Sequence, residues 1–117
     1  RAMLRRALLA TPALFLPAAA QEGARVALLH LNDFHSRHEA ITPQAALCRP
    51  GGPCIAGAAR MATAIRAARE DARANGRAPL LLDAGDQFLG SLFFTAHEGQ
   101  AEARMQRLWG VQAMALG

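Results

Sequence analysis

Three side chains of this sequence have the types and positions that a metal site requires. Asp33 and His35 follow the apolar run Val26–Leu31, and Asp86 follows a second apolar run at positions 80–82. Side chains two apart on an extended segment point to the same side, so Asp33 and His35 can bind one ion while Asp86 approaches from a neighbouring strand. Carboxylate and imidazole together suit Zn²⁺, Mn²⁺ or Fe. The chemistry this set favours is hydrolysis by metal-activated water, with Asp86 shared between two ions.

An Asp-x-His triplet is weak evidence by itself, because it arises by chance and an Asp at a strand end is often only a turn former. The elements around it carry more weight. Val26–Leu31 is apolar except for His30, which predicts a strand buried on both faces of a sheet. Apolar and small residues at three- and four-residue steps predict an amphipathic helix over 55–74, and a second strand follows at 80–84.

A strand, a helix and a strand in this order form a βαβ unit. Its crossover is expected to be right-handed, which places both strand ends on the same edge of a parallel sheet, where ligand sites of open α/β folds lie. Gly85 allows the tight exit from the second strand that Asp86 needs. A further helix at 99–109 and a strand at 112–116 complete the prediction of an α/β chain in the order βαβαβ.

Residues 1–20 have a basic start, an apolar stretch and a run of alanines, which is the pattern of a cleaved secretory signal peptide. A periplasmic or secreted protein is therefore expected. A membrane anchor is the less favoured alternative, since a spanning helix needs roughly 20 apolar residues and this stretch is shorter. Arg5 and Arg6 also permit twin-arginine export.

The net charge of +4 comes mainly from that same segment. Three of the 13 basic residues lie in the first six positions, so from Gln21 onward ten arginines stand against nine acids. Binding to a nucleic-acid backbone would favour a basic stripe with interleaved aromatic residues, and the sequence after Gln21 has none. Nucleic acid is thus not an expected partner, and neither is a stable membrane anchor.

Both cysteines, Cys48 and Cys54, lie in a Pro- and Gly-rich segment within the loop-like region 36–54. In an exported protein a near pair of cysteines is most simply a disulfide. Two free thiols are the main alternative. A metal role is disfavoured because further Cys or His partners at short spacing are lacking.

Longer stretches carry a specific family resemblance. Residues 28–37 (LLHLNDFHSR) resemble the first metal motif of the 5'-nucleotidase family within the calcineurin-like metallophosphatases, and residues 80–88 (LLLDAGDQF) resemble the second. Positions 90–91 and 94–95 continue the match. Residues 111–117 (VQAMALG) resemble the segment that in this family runs straight into Asn-His-Glu.

The resemblance implies the start of a metallophosphatase-type α/β/β/α sandwich, with Asp33 and His35 on one metal and Asp86 bridging two divalent ions, which Zn, Mn, Fe, Mg or Ca would each satisfy. The family's remaining ligands and its C-terminal nucleoside-binding domain lie outside this sequence. Residues 21–117 are therefore expected to be the N-terminal part of a catalytic domain, inactive and poorly stable as an isolated chain. Paired cysteines recur in some members, which favours the Cys48–Cys54 disulfide.

Four further side chains could have either a structural role or a role near the metals, and the structural role is preferred for each. His38 is read as a solvated loop residue rather than a polar contact near the metals, and His30 as a hydrogen-bonded core histidine rather than a ligand. His97 is read as a surface or capping residue. Asp83 is expected to be buried and to accept hydrogen bonds from backbone donors. The aromatic residues are expected to pack, with the alternative that phenylalanines form a wall near the site.

The expected activity of the full-length form is that of an exported, metal-dependent phosphoesterase acting on a small-molecule substrate, a nucleoside monophosphate or a related phosphoester. One alternative keeps the fold and changes the substrate to a cyclic nucleotide, a nucleotide sugar or a sulfur-linked group. The other is a truncated remnant without catalysis. The sequence gives no prediction of oligomeric state.

Overall fold

The computed structural model describes residues 23–117, so the predicted signal peptide lies outside the described residues. Within this range the chain forms, in order, β1 (Val26–Leu31), α1 (Ala58–Ala74), β2 (Ala78–Asp83), α2 (Leu92–His97), α3 (Gln100–Trp109) and β3 (Ala113–Met114). No helix in this part of the chain is long and apolar enough to cross a membrane.

The three strands form one parallel sheet in the order β1-β2-β3. Register runs from Val26 opposite Ala78 to Leu31 opposite Asp83, so β1 and β2 end level with each other. The short β3 continues the sheet beside the end of β2, with Ala113 opposite Leu82. The prediction of an α/β chain with a parallel sheet is confirmed, and both long strands deliver their following loops to one edge.

The core lies on one face of this sheet. Leu31 and Leu81 project from β1 and β2 and pack with Ile65 of α1, with Trp109 at the end of α3 and with Phe34, and all five are buried. Burying one such apolar side chain stabilises a fold by about 1.5–3 kcal/mol. This small cluster holds both helices against the strands whose ends carry the candidate ligands.

The opposite face of β1 corrects a prediction. Val26 and Leu28 are 54% and 62% exposed, and His30 is exposed as well. The strand was expected to be buried on both faces, with His30 in the core. Among residues 23–117, β1 is the edge strand of the sheet, and α1 and α3 pack on the other face. No element in this part of the chain covers the apolar side chains on the exposed face of β1.

The helix predicted over 55–74 begins later, at Ala58. Gly57 precedes it with φ +90°, which helical backbone excludes, and Ile55 instead pairs with Ile41 in an isolated antiparallel bridge. The predicted end is confirmed, since Asn75 caps the helix and Gly76 follows in the left-handed region at φ +65°.

The remaining elements differ in extent from the prediction. β2 begins at Ala78 rather than at residue 80, and β3 has two residues rather than the five of 112–116. The six-residue helix α2 was missed, because it is too short for a periodic apolar pattern. Its signal is the Ser91 hydroxyl, which accepts a hydrogen bond from the Phe93 N–H in the manner of an N-cap.

Candidate metal centre

The loops that follow β1 and β2 run side by side beyond the sheet. The Asp33 N–H donates to the Gly85 carbonyl at 3.0 Å, and the His35 N–H donates to the Asp86 carbonyl at 3.3 Å. Parallel pairing therefore continues past the strand ends into the segments that carry the ligand-type side chains. Asp33, His35 and Asp86 are brought to the same edge of the sheet by backbone bonds.

These three side chains form a compact set of donors. One ligand atom from each lies within 4.8 Å of the others. His35 Nε2 is 3.4 Å from Asp86 Oδ2 and 3.9 Å from Asp33 Oδ1. Two donors bound at about 2.1 Å to a common ion lie roughly 3.0–3.5 Å from each other. The distance between His35 and Asp86 falls in this range, that between His35 and Asp33 is somewhat longer, and the donor chemistry suits a divalent cation.

The geometry that unites Asp33 and His35 differs from the predicted one. They were expected to share one side of an extended strand, but β1 ends at Leu31 and both residues have left-handed backbone, with φ of 52° and 51°. Asp86 has the same conformation at 57°. Non-glycine residues with positive φ are strained and persist where surrounding contacts fix them, as they do at many functional sites.

Two glycines make this arrangement possible. A Cβ atom on Gly85, whose φ is +105°, would lie 2.9 Å from the Ala115 carbonyl oxygen. A Cβ atom on Gly90 would lie 2.9 Å from the Cβ and carbonyl oxygen of His35. Glycine at these positions lets the segment after β3 pass close to Gly85 and lets the segment after β2 lie directly against His35.

Asp83, at the end of β2, is not part of the donor set but hydrogen-bonds to the backbone next to it. Its side chain is buried, and Oδ1 accepts hydrogen bonds from the Gly85 N–H at 2.9 Å and from Gln87 Nε2 at 3.0 Å. Gln106 of α3 donates to the other carboxylate oxygen. The prediction that Asp83 bonds backbone donors is confirmed, and the two glutamine amides are partners that the sequence did not reveal.

An open cavity of about 470 Å³ adjoins Asp86. Its walls include Phe88 and Phe94, whose ring centroids are 5.8 Å apart, with Leu89 and Glu98 beside them. The phenylalanines were expected to be packing residues, and these two also form the wall near the site that was the less favoured alternative. An apolar surface therefore stands next to the charged donors.

His38 contradicts its sequence interpretation. It was expected to be solvated in the loop, yet its side chain is 8% exposed and its Nε2 lies 3.0 Å from Glu102 Oε1 of α3. Glu102, at 1% exposure, was not predicted to have any role. His97 is exposed at the end of α2, as expected of a surface residue.

Cys48 and Cys54 are joined by a disulfide in the structure, in agreement with the preferred interpretation. The bond closes a small ring inside the long loop between β1 and α1. Ile41 bridges to both Leu47 and Ile55 on either side of it, so short backbone pairings and the covalent link order this loop together.

The chain is similar in sequence and in fold to known proteins. No family model matches the chain. A curated 5'-nucleotidase from Bos taurus is 40% identical over 110 residues, which are 94% of this chain and 18% of that protein. A solved 5'-nucleotidase precursor from Thermus thermophilus is 32% identical and aligns with a TM-score of 0.58 over 77% of this chain and 16% of its own.

The solved sulfate thiohydrolase SoxB of Thermus thermophilus shows the same fold, with a TM-score of 0.64 at 20% identity over 84% of this chain and 26% of its own. Sheet, site and neighbours thus define a protein of the metallophosphatase type. Within that class, the chain belongs to the 5'-nucleotidase family. It spans less than a fifth of the length of the curated 5'-nucleotidase described above.

Proposed function

We propose that the full-length protein is a metal-dependent phosphoesterase of the 5'-nucleotidase type, which hydrolyses nucleoside monophosphates or related small phosphoesters. The observation that carries this proposal is the convergence of Asp33, His35 and Asp86 within 4.8 Å at the ends of two parallel strands. Identity of 40% to a curated 5'-nucleotidase over nearly the whole chain supports the substrate class.

The chain's own residues have distinct parts in this proposal. Asp33 and His35 would hold one divalent ion, and Asp86 would be shared with a second. The side chains of Asp33 and Asp86 are 56% and 51% exposed, so a phosphoryl group can approach from solvent. Divalent ions bound by these donors would activate water for attack and neutralise charge on the phosphoryl oxygens.

The wall formed by Phe88 and Phe94 would exclude water from one side of the reacting group. Its rings are close to Asp86, and exclusion of water strengthens electrostatic interactions at the site. Gly85 and Gly90 have no chemical role and act by allowing the close backbone packing described above.

Export is part of the same proposal. Residues 1–20 have the composition of a cleaved signal peptide, and a disulfide between Cys48 and Cys54 is the type of bond that persists outside the cytoplasm. Sequencing of the amino terminus of the protein recovered from the periplasm or medium should give a start near residue 21. Recovery only from the cytoplasm with residues 1–20 intact would contradict export.

The direct test of the metal site is Asp86→Asn in the full-length protein. Loss of a shared carboxylate should lower phosphate release from a nucleoside monophosphate by at least about 100-fold, because even partners outside the direct ligand set contribute 10–100-fold. Asp71→Asn on α1 makes the same chemical change at an exposed position and should leave activity intact. Full activity of the Asp86 variant in added Mn²⁺ or Zn²⁺ would reject the assignment.

A substrate panel separates the proposed activity from its alternatives. Release of phosphate from nucleoside monophosphates should exceed turnover of cyclic nucleotides and nucleotide sugars. Release of sulfate from a sulfur-linked substrate would instead indicate the second type of metallohydrolase. A folded, metal-loaded full-length protein that turns over none of these substrates would support a remnant without catalysis.

A further inference from the structure

A buried pair joins the loop after β1 to the first turn of α3. His38 Nε2 lies 3.0 Å from Glu102 Oε1, and the two side chains are 8% and 1% exposed. They are 64 positions apart in the chain, so only the folded structure brings them together. Charged side chains this far from solvent are uncommon unless they are paired.

Aromatic rings enclose the imidazole. The ring centroids of Phe34 and Phe93 are 5.1 Å and 4.8 Å from that of His38. Burial acts to raise the pKa of Glu102, but hydrogen bonds from Ser36 and His38 together hold that pKa below its ordinary value. The carboxylate stays ionised in an apolar setting because these donors stabilise it.

Ser36 connects this pair to the candidate ligands. It follows His35 directly, its N–H donates to the Gln87 carbonyl at 2.9 Å, and its own carbonyl accepts from Ser91 Oγ at 2.5 Å and from the His38 N–H at 3.0 Å. Its side-chain hydroxyl is 3.4 Å from the Gln87 carbonyl, a long hydrogen bond, and also contributes to the ionisation of the glutamate. One residue thus links the pair, the loop after β2 and the ligand-bearing turn.

The turn at 33–36 needs such support. Asp33, His35 and Ser36 have φ values of 52°, 51° and 53°, a left-handed region that residues with side chains occupy stably only where surrounding contacts hold them. Backbone bonds from Asp33, His35 and Ser36 to the loop after β2 hold one side of the turn. On its other side, Phe34 packs against Trp109 and His38 contacts Glu102, and both contacts fix the chain to α3.

We propose that His38 and Glu102 are positioning residues, which hold the turn 33–36 in the conformation that presents its side chains to a metal ion. They do not touch the ion and act through the backbone of Ser36. The inference rests on the metal site proposed above, and it adds two residues that neither the sequence motifs nor the donor cluster includes.

The first variant is Glu102→Gln in the full-length protein. Mn²⁺ affinity is measured by titration calorimetry at a temperature where circular dichroism shows each variant folded, so that a loss of stability does not enter the result. We expect about 10-fold weaker binding, which is typical when a group that orients a metal ligand is removed. Glu70→Gln, an equal charge change on the exposed face of α1, should bind as the wild type does.

The second variant, His38→Leu combined with Glu102→Leu, removes both polar groups and leaves no unpaired buried charge, so the fold should persist. It should show a similar loss of Mn²⁺ affinity, and Co²⁺ bound in place of Mn²⁺ should show shifted d–d absorption bands. A lower melting temperature with Mn²⁺ affinity within twofold of wild type in either folded variant would make the pair merely structural and overturn the inference. A wild-type protein that binds no divalent ion would overturn the proposed function and this inference with it.

Discussion

Two histidines lie three residues apart in one loop, and each is paired with a carboxylate from another part of the chain. The surroundings of the two pairs are opposite. His35 and Asp86 are 3.4 Å apart, and their side chains are 43% and 51% exposed. His38 and Glu102 are 3.0 Å apart, and their side chains are 8% and 1% exposed. The residue types are closely matched, so burial rather than chemistry separates a set of donors open to an ion from a pair that is closed to solvent and joined through His38 Nε2 and Glu102 Oε1.

The two pairs should also differ in how much they contribute to the free energy of unfolding. An exposed ion pair contributes about 0–1 kcal/mol, because solvent screens it. A buried pair is costly to break, because the partner that remains is an uncompensated charge in an apolar setting. The chain therefore combines an exposed candidate site, whose alteration should cost little stability, with a neighbouring buried pair that should be costly to break.

The largest expected effect comes from breaking the buried pair on one side only. His38→Leu should lower the free energy of unfolding by about 3–5 kcal/mol, since Glu102 would lose its hydrogen-bond partner without regaining water. His35→Leu, the same substitution in the exposed pair, should lower it by less than about 1 kcal/mol. Urea unfolding followed by circular dichroism measures both, and equal losses would show that burial does not distinguish the pairs.

Gly85→Ala should have the next largest effect, by forcing Asp86 away from its place. The added Cβ meets the Ala115 carbonyl at 2.9 Å while φ is +105°, so we expect a loss of about 2–3 kcal/mol together with weaker Mn²⁺ binding. Gly76→Ala is the matched control, because its φ is +65° but nothing lies within 4 Å of the added atom. That control should cost about 1 kcal/mol and leave Mn²⁺ affinity unchanged.

The loop with the disulfide should affect stability and leave the site alone. Loop-closure entropy gives about 2 kcal/mol as an upper value for a ring this small. Replacing Cys48 and Cys54 with serine together should therefore lower the melting temperature by a few degrees, with Mn²⁺ affinity unchanged. A large loss of affinity in this double variant would show that the ring closed by the disulfide influences the metal centre.

Acid should destabilise the protein through the buried carboxylate of Glu102. The folded-state pKa of Glu102 lies below its ordinary 4.5, so its stabilising contribution is complete above about pH 4.5 and is lost as the pH falls through the lowered pKa. Between pH 6 and pH 3, metal-free Glu102→Gln should thus show a smaller drop in melting temperature than the wild type. Glu70→Gln should follow the wild type, and an identical acid response of the Glu102 variant would contradict a lowered pKa.

The sheet and its ligand edge could be predicted because their signals are local. Apolar runs mark β1 and β2, helical spacing marks α1, and the ends of parallel strands meet at one edge for geometric reasons. Asp33, His35 and Asp86 follow directly from that frame, and the structure brings them together. Whether they bind metal stays a prediction.

What the sequence did not reveal depends on distant parts of the chain. His38 stands between Arg37 and Glu39 in a polar segment, which predicts exposure. Besides the nearby Phe34, it is buried by residues of α2 and α3, which are distant in sequence. The uncovered face of β1 is the converse, because an apolar strand indicates burial without naming the element that covers it. The left-handed turns were missed because non-glycine residues at positive φ have no strong sequence signal.

The backbone bonds that continue from β1 and β2 into their loops have a consequence for how this region exchanges and varies. The amide hydrogens of Asp33, His35 and Ser36 are bonded across to the neighbouring loop, so their exchange with deuterium should be as slow as that of strand amides. A one-residue insertion in either loop would shift every later bond across the gap and separate the donors. Loop length here is thus held as tightly as strand register, although the segments have no regular secondary structure.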